Sequence, residues 1–382
     1  MIPFNTPSLE GDEMAYLEAA VRDGHISAKG PFTAQVVNLL REQLDAADVL
    51  LTTSCTAALE LSAMLLDLEP GDTVIVPSFT FVTTALAFVR EGAQLLFADI
   101  DPDTLGLDPA RVAELMDDSV RAVVPVHYAG VAGDLAGLQS VLSARTGGRA
   151  VDMIEDNAHG LFGRYRGRPL GSFGRMSTLS FHETKNVSCG EGGALVLNRA
   201  ADVERAHVLY DKGTNRRAFQ HGQVDHYSWV DRGSSFGLAD LLAAYLLAQL
   251  EAHDAVLAKR RAVYERYLEL LEPHVERLGL RLPIVPADRE QAYHMFYVLL
   301  PDRDTRDRAL RSLNADGIMG TFHYVPLHSS LMGQKVAARE TQCPVTDEIS
   351  GRLLRLPFYN DLDAATVALI VERFMAALDA PM

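Results

Sequence analysis

The chain has 382 residues, 48% of them hydrophobic and 23% charged, the balance of a globular protein with ample core material and room for a large domain plus a smaller one. Its formal charge of −16 argues against nucleic acid or an anionic membrane surface as a partner, and its apolar runs are strand-length, too short to span a bilayer. Three cysteines without metal-ligand spacing and no basic-then-apolar leader in residues 1–5 predict a cytoplasmic protein with reduced thiols, no metal and no secretory signal.

In chain order, apolar runs at 49–52, 73–76, 94–97, 122–126, 151–154, 177–181 and 193–197 alternate with helix-like stretches. Near-continuous apolar strands between amphipathic helices predict an α/β fold, a mostly parallel central sheet covered on both faces. Such sheets bind ligands beyond the carboxyl ends of their strands. Residues 213–233, rich in Gly, Arg and Gln, read as an extended loop suited to reaching a neighbouring subunit. A long helix is predicted over 238–271, with Pro273 just past its end. A strand at 294–300, a helix at 305–316, a strand near 321–325 and a last helix from about 364 then suggest a smaller α+β domain. The predicted division is residues 1–250, a large ligand-binding domain, and 251–382, a small C-terminal one.

Three segments carry the chemistry. Thr53-Ser54-Cys55-Thr56-Ala57-Ala58 follows a strand and opens a helix; a helix N-terminus with small hydroxyl residues suits a phosphate, although an ordinary N-cap needs the same residues. Ile154-Glu155-Asp156 ends a strand, where a carboxylate can pair with a pyridinium nitrogen or merely cap the next helix. Lys185, one of only five lysines, lies beyond another strand in Ser180-Phe181-His182-Glu183-Thr184-Lys185-Asn186, ahead of Gly190-Glu191-Gly192-Gly193. A lysine attacks a carbonyl only when neutral, which needs a desolvated or cationic surrounding. A phosphate cup, a carboxylate and then a lysine 29 residues on (185 minus 156) occur in the order required by pyridoxal-phosphate (PLP) enzymes of fold type I. Phe81, after a further strand, offers an aromatic face for a pyridine ring or a core position.

Together with Gly30-Pro31-Phe32-Thr33, Pro77-Ser78-Phe79-Thr80-Phe81, His323-Tyr324-Val325-Pro326-Leu327-His328 and Leu356-Pro357, these motifs resemble the DegT/DnrJ/StrS nucleotide-sugar aminotransferases over essentially the whole chain. His182-Glu183-Thr184-Lys185-Asn186, lacking the proline most members have before the threonine, and Gly233-Ser234-Ser235-Phe236, with serine for the usual asparagine, are similar to the dTDP-4-amino-4,6-dideoxygalactose transaminase branch. The resemblance implies a fold type I PLP transferase with Lys185 as the Schiff-base lysine and Asp156 on the pyridine nitrogen. It further implies Phe81 on the ring, Ser54, Cys55, Thr56 and Ser180 around the phosphate, and His159 near the ring hydroxyl, where most members have glutamine. Ser235 would reach the phosphate of the opposite subunit in a homodimer with shared sites.

The implied reaction moves an amino group from L-glutamate to C4 of a dTDP-4-keto-6-deoxyhexose, the cofactor alternating between pyridoxal and pyridoxamine phosphate. Lys212, Arg216, Arg217 and Arg232 are candidates for the substrate's diphosphate, and Tyr324 and His328 for other substrate contacts. Another keto position or nucleotide is the alternative. A sugar dehydratase on this scaffold would replace the lysine with histidine, and a silent binding protein would lack the lysine or the aspartate; both are present.

Overall fold

The computed structural model describes residues 1–145 and 149–379. Helices α1 (Glu13–Asp23) and α2 (Pro31–Leu44) precede β1 (Asp48–Thr52). Helix and strand then alternate through α3 (Cys55–Met64), β2 (Thr73–Pro77), α4 (Val82–Arg90), β3 (Gln94–Ala98), α5 (Pro109–Leu115), β4 (Val120–Val123), α6 (Leu135–Ser143) and β5 (Asp152–Asp156). A small hairpin, β6 (Arg164–Tyr165) and β7 (Arg168–Pro169), leads to β8 (Met176–Ser180) and β9 (Gly193–Leu197). Seven of these strands form one sheet in the order β1-β9-β8-β5-β4-β2-β3, parallel except that β9 runs against both neighbours. Alternate residues feed opposite faces: Val74 and Val76 enter one core cluster and Ile75 another. Burial on both faces is why these strands read as unbroken apolar runs.

The carboxyl ends of β1 and β8 meet the start of β9, since Gly193 pairs with both Thr52 and Ser180. A Cβ on Gly193 would stand 2.4 Å from the Cys55 backbone nitrogen, so only glycine lets β9 begin directly under α3.

The chain continues through α7 (Ala200–Tyr210), α8 (Arg216–Gln220), α9 (Asp240–Glu251), α10 (His253–Leu271) and, after a 3₁₀ turn at Glu272–His274, α11 (Val275–Leu278). It ends with β10 (Arg289–Glu290), β11 (Tyr297–Leu299), α12 (Arg303–Ala315), α13 (Leu331–Val336), α14 (Pro344–Arg352), β12 (Leu353–Arg355) and α15 (Ala364–Asp379). Residues from Val263 to Phe374 build a core cluster of their own around the antiparallel pair β11–β12. Among the described residues, no single helix is long and apolar enough to cross a membrane.

Two expectations need correction. The helix predicted over 238–271 is two helices bent by 64°: Ala252 leaves helical geometry, and the His253 ring hydrogen-bonds the Leu250 carbonyl at 2.8 Å while stacking on Phe162. The predicted end holds: α10 stops at Leu271 with Pro273 just past it, in a 3₁₀ turn that passes into the short α11 before Gly279 at φ 62°. Residues 321–325 form no strand, only a bridge from Thr321 to Arg355. The rings of His323 and Tyr324 stack at 3.8 Å, which neighbours pointing to opposite faces of a strand cannot do. The 213–233 segment is a loop closed at its ends by Asn215 N–H to Ser228 O (3.2 Å) and Val230 N–H to Gly213 O (2.8 Å), and it contains α8.

Candidate active site

Beyond the carboxyl edge of the sheet lies a cavity of about 510 Å³. Its walls include Ser54, Cys55, Thr56, Phe81, Asp156, His159, Ser180, Lys185 and Tyr324. The large sheet thus gathers eight of the nine proposed cofactor residues with one proposed substrate residue.

At the phosphate end, Ser54 caps α3 by accepting the Ala57 N–H at 3.1 Å. Cys55 and Thr56 hold the first two helical positions, whose N–H groups have no acceptor inside the helix and sit at the positive end of its dipole. Burial pushes the Cys55 thiol up to about 12, so it adds no negative charge there. This is a ready anion site.

Asp156 ends β5 at 4% exposure. Thr84 donates its hydroxyl to Oδ2 at 2.7 Å and the Ala158 N–H donates to Oδ1 at 3.2 Å. No lysine or arginine among the described residues forms an ion pair with it. Burial raises its pKa, and a cationic ring nitrogen would restore the ionised form.

The loop after β8 is pinned to the glycines preceding β9 by Phe181 N–H to Gly192 O and Glu183 N–H to Gly190 O, both 2.8 Å. Lys185 therefore projects back over the sheet edge. Burial, assisted by the Arg355 charge, pulls its amine from 10.5 down to about 8. Next to it Asn186 donates its amide to the Ala292 carbonyl, and its Oδ1 accepts from His294 Nδ1 at 3.0 Å.

The His294 ring stacks on His159 at 4.2 Å and 14°. Burial holds both well below the usual imidazole range, so the two rings are neutral. His159 Nδ1 is buried without a hydrogen-bond partner. That orphan, the lone carboxylate of Asp156 and the free end of α3 match the ring hydroxyl, ring nitrogen and phosphate of PLP.

The remaining candidates lie elsewhere in the subunit. Ser235, Lys212 and Arg216 line a second depression with His25, Lys29 and Tyr210, sharing no wall residue with the first. Arg217 pairs with Glu204 at 3.8 Å and Arg232 with Glu91 at 3.1 Å. His328 is bound through Nδ1 to Ser78 Oγ at 2.7 Å and lines a different surface pocket, beside Phe97.

The cavity also contains residues absent from the sequence-based set: Phe4, Thr84, His294, His323 and Arg355. His323 stood inside a quoted motif and Arg355 immediately before Leu356-Pro357. Phe4, Thr84 and His294 carried no local signal.

The sequence profile of the DegT/DnrJ/EryC1/StrS aminotransferase family matches residues 7–375. The chain belongs to this family. As a member it is a PLP-dependent aminotransferase, and the cavity is where its residues fit that cofactor. The aminotransferase is 29% identical over 379 residues to the spore coat polysaccharide biosynthesis protein SpsC of Bacillus subtilis strain 168, covering 97% of this chain and 95% of that one. Its fold matches the aminotransferase TlmJ from Streptoalloteichus hindustanus with TM-score 0.90 and 30% identity, covering 100% of both chains. It also matches the sugar aminotransferase CalS13 from Micromonospora echinospora with TM-score 0.88 and 25% identity, covering 98% of this chain and 100% of that one.

Proposed function

We propose that the enzyme transfers the amino group of L-glutamate to C4 of a dTDP-4-keto-6-deoxyhexose, giving a dTDP-4-amino-4,6-dideoxyhexose. The observation that carries the transferase chemistry is Lys185, with a pKa of about 8, facing the same cavity as Asp156 and the start of α3. A sugar substrate is supported by family membership, by relatives described as a polysaccharide-synthesis protein and a sugar aminotransferase, and by the His182–Asn186 and Gly233–Phe236 motifs.

Ser54, Cys55, Thr56 and Ser180 would hold the cofactor's phosphate, Asp156 its ring nitrogen, His159 its hydroxyl and Phe81 its ring face. When bound, PLP supplies an electron sink and carries nitrogen between the two substrates. Asp156, kept ionised by that pairing, holds a proton on the ring nitrogen. Lys185 Nζ takes the proton from the donor's α-carbon in one half-reaction and delivers one to the sugar's C4 in the other.

We further propose a homodimer in which Ser235 and the basic loop of Lys212, Arg216, Arg217 and Arg232 complete the partner's site. The loop's exposure, with Trp229 80% and Tyr227 53% accessible, supports this, as does the 56% exposure of Phe81. The test is incubation with PLP, L-glutamate and dTDP-4-keto-6-deoxyglucose, with the product's C4 configuration assigned by NMR. An aminated product at C4 is expected. Amination only of another keto position or another nucleotide's sugar would refute the substrate assignment.

A further inference from the structure

Cations enclosed in a fold are matched by carboxylates or by several neutral acceptors. Arg175 follows the first pattern, with Asp152 at 2.7 Å and Asp202 at 2.6 Å. Arg260 follows the second, donating to the carbonyls of Tyr293 (2.8 Å) and His294 (2.7 Å) and to Asn360 Oδ1 (3.0 Å). Arg355 follows neither. It ends β12, opposite Tyr297, and borders the cavity that holds Lys185.

Among the described residues no carboxylate forms an ion pair with Arg355. Its side chain makes one hydrogen bond, to His323 Nε2 at 2.7 Å, and its Nε is buried without any acceptor. Its guanidinium lies over the Phe4 ring at 4.6 Å. Arginine only donates, so His323 Nε2 is the acceptor, and the imidazole proton sits on Nδ1, 3.1 Å from the Tyr128 hydroxyl. Among the described residues the guanidinium's only hydrogen-bond partner is therefore an uncharged ring. The same enclosure lowers the guanidinium's pKa, which marks a charge short of compensation.

We propose that Arg355 receives the α-carboxylate of the amino donor. Guanidinium and carboxylate are complementary in shape and charge, and that carboxylate must enter the cavity that Lys185 and Arg355 both line, since it is bonded to the reacting carbon. The other anions have different places. The cofactor's phosphate belongs at α3, and the diphosphate of the proposed sugar is attached across the pyranose ring from C4. The keto sugar brings no charge to its reacting carbon. In that half-reaction His323 Nε2 and the Phe4 face remain as Arg355's uncharged partners. One pocket thereby accepts an acid and a neutral sugar in turn. The inference rests on the reading above only in taking the donor to be an α-amino acid.

The test compares wild-type enzyme with Arg355→Gln and Arg355→Lys, each loaded with PLP. An unchanged cofactor absorption band shows an intact site, and Arg355→Lys carries the experiment if the glutamine variant does not fold. Glutarate, a dicarboxylate without an amine, is titrated by calorimetry; Arg355→Gln should weaken it about thirtyfold, the loss of one charge-assisted pairing. In single turnovers without sugar, wild-type enzyme should prefer L-glutamate over its α-amide, and Arg355→Gln should lose that preference. The pyridoxamine-loaded variant should lose far less of its rate toward the keto sugar than the PLP-loaded variant loses toward L-glutamate. Retained preference for the acid, or equal damage to both half-reactions, overturns the assignment. If wild-type enzyme reacts with glutamate but not with the dTDP sugar, the substrate proposal fails and the Arg355 measurement stands. If another amino acid is the donor, the same comparison is made between that acid and its amide.

Discussion

An amine buried beside a guanidinium loses its proton more easily than one in water, and Lys185 is such an amine. If Lys185 is the proposed Schiff-base lysine, its neutral form would attack the cofactor's carbonyl, and reconstitution of apoenzyme with PLP should accelerate with pH up to about 8 and level off above it. A rate constant flat from pH 6.5 to 9 would contradict this placement. Lys185→Ala has no amine and Lys185→Arg keeps its proton; both should fold normally and complete no turnover, as followed by release of 2-oxoglutarate. Asp156→Asn removes the carboxylate proposed to pair with the ring nitrogen. A charge-assisted bond of about 1.5–3 kcal/mol should be lost, weakening PLP about ten- to hundredfold in equilibrium dialysis; unchanged retention would make the carboxylate structural. Lys185 and Asp156 were legible because each chemistry-bearing residue follows a strand in a fixed order. Arg355 was not, because lacking a counter-charge is a property of its surroundings, and no spacing in the sequence displays surroundings.

The strands of the large sheet were legible for a related reason: burial on both faces leaves a continuous apolar run in the sequence. Less visible was whatever depended on local competition for hydrogen bonds. The bend at Ala252 arises from one histidine taking one carbonyl, and the lost strand at 321–325 from two adjacent rings preferring to stack. The junction of β9 with α3 belongs to the same scale and is testable there. Gly193→Ala would drive a methyl group to within 2.4 Å of the Cys55 nitrogen, tilting the first turn of α3. Cofactor affinity should fall by at least tenfold, while the circular dichroism spectrum stays near wild type. Ser54→Ala removes the cap of the same helix and should lower stability by about 1 kcal/mol in urea unfolding.

At the scale of the molecule, the second depression and the exposed loop bear on assembly. If sites are shared, Lys185→Ala subunits should complement a variant carrying Arg216→Glu, Arg217→Glu and a bulky residue at Ser235. Each mixed dimer then has one site with both defects and one with neither, so activity should return to about half that of a wild-type dimer. No recovery despite demonstrated subunit exchange would mean that the loop serves its own subunit. A different consequence follows from the cavity's position. Lys185 and Asp156 project from the large sheet, whereas Arg355 belongs to β12, beside the separate core built from Val263 to Phe374. A ligand gripping both adds its binding free energy to their union and nothing to either part alone. By that linkage, a dicarboxylate at a hundred times its dissociation constant stabilises the joined state by about 2.7 kcal/mol. Scanning calorimetry should then show a later unfolding transition with the dicarboxylate than without it, and Arg355→Gln should lose that shift. The small acid would act as a reversible crosslink between the large sheet and the β11–β12 pair, which already share the buried cluster of Phe79, Tyr128, Tyr297 and Leu353.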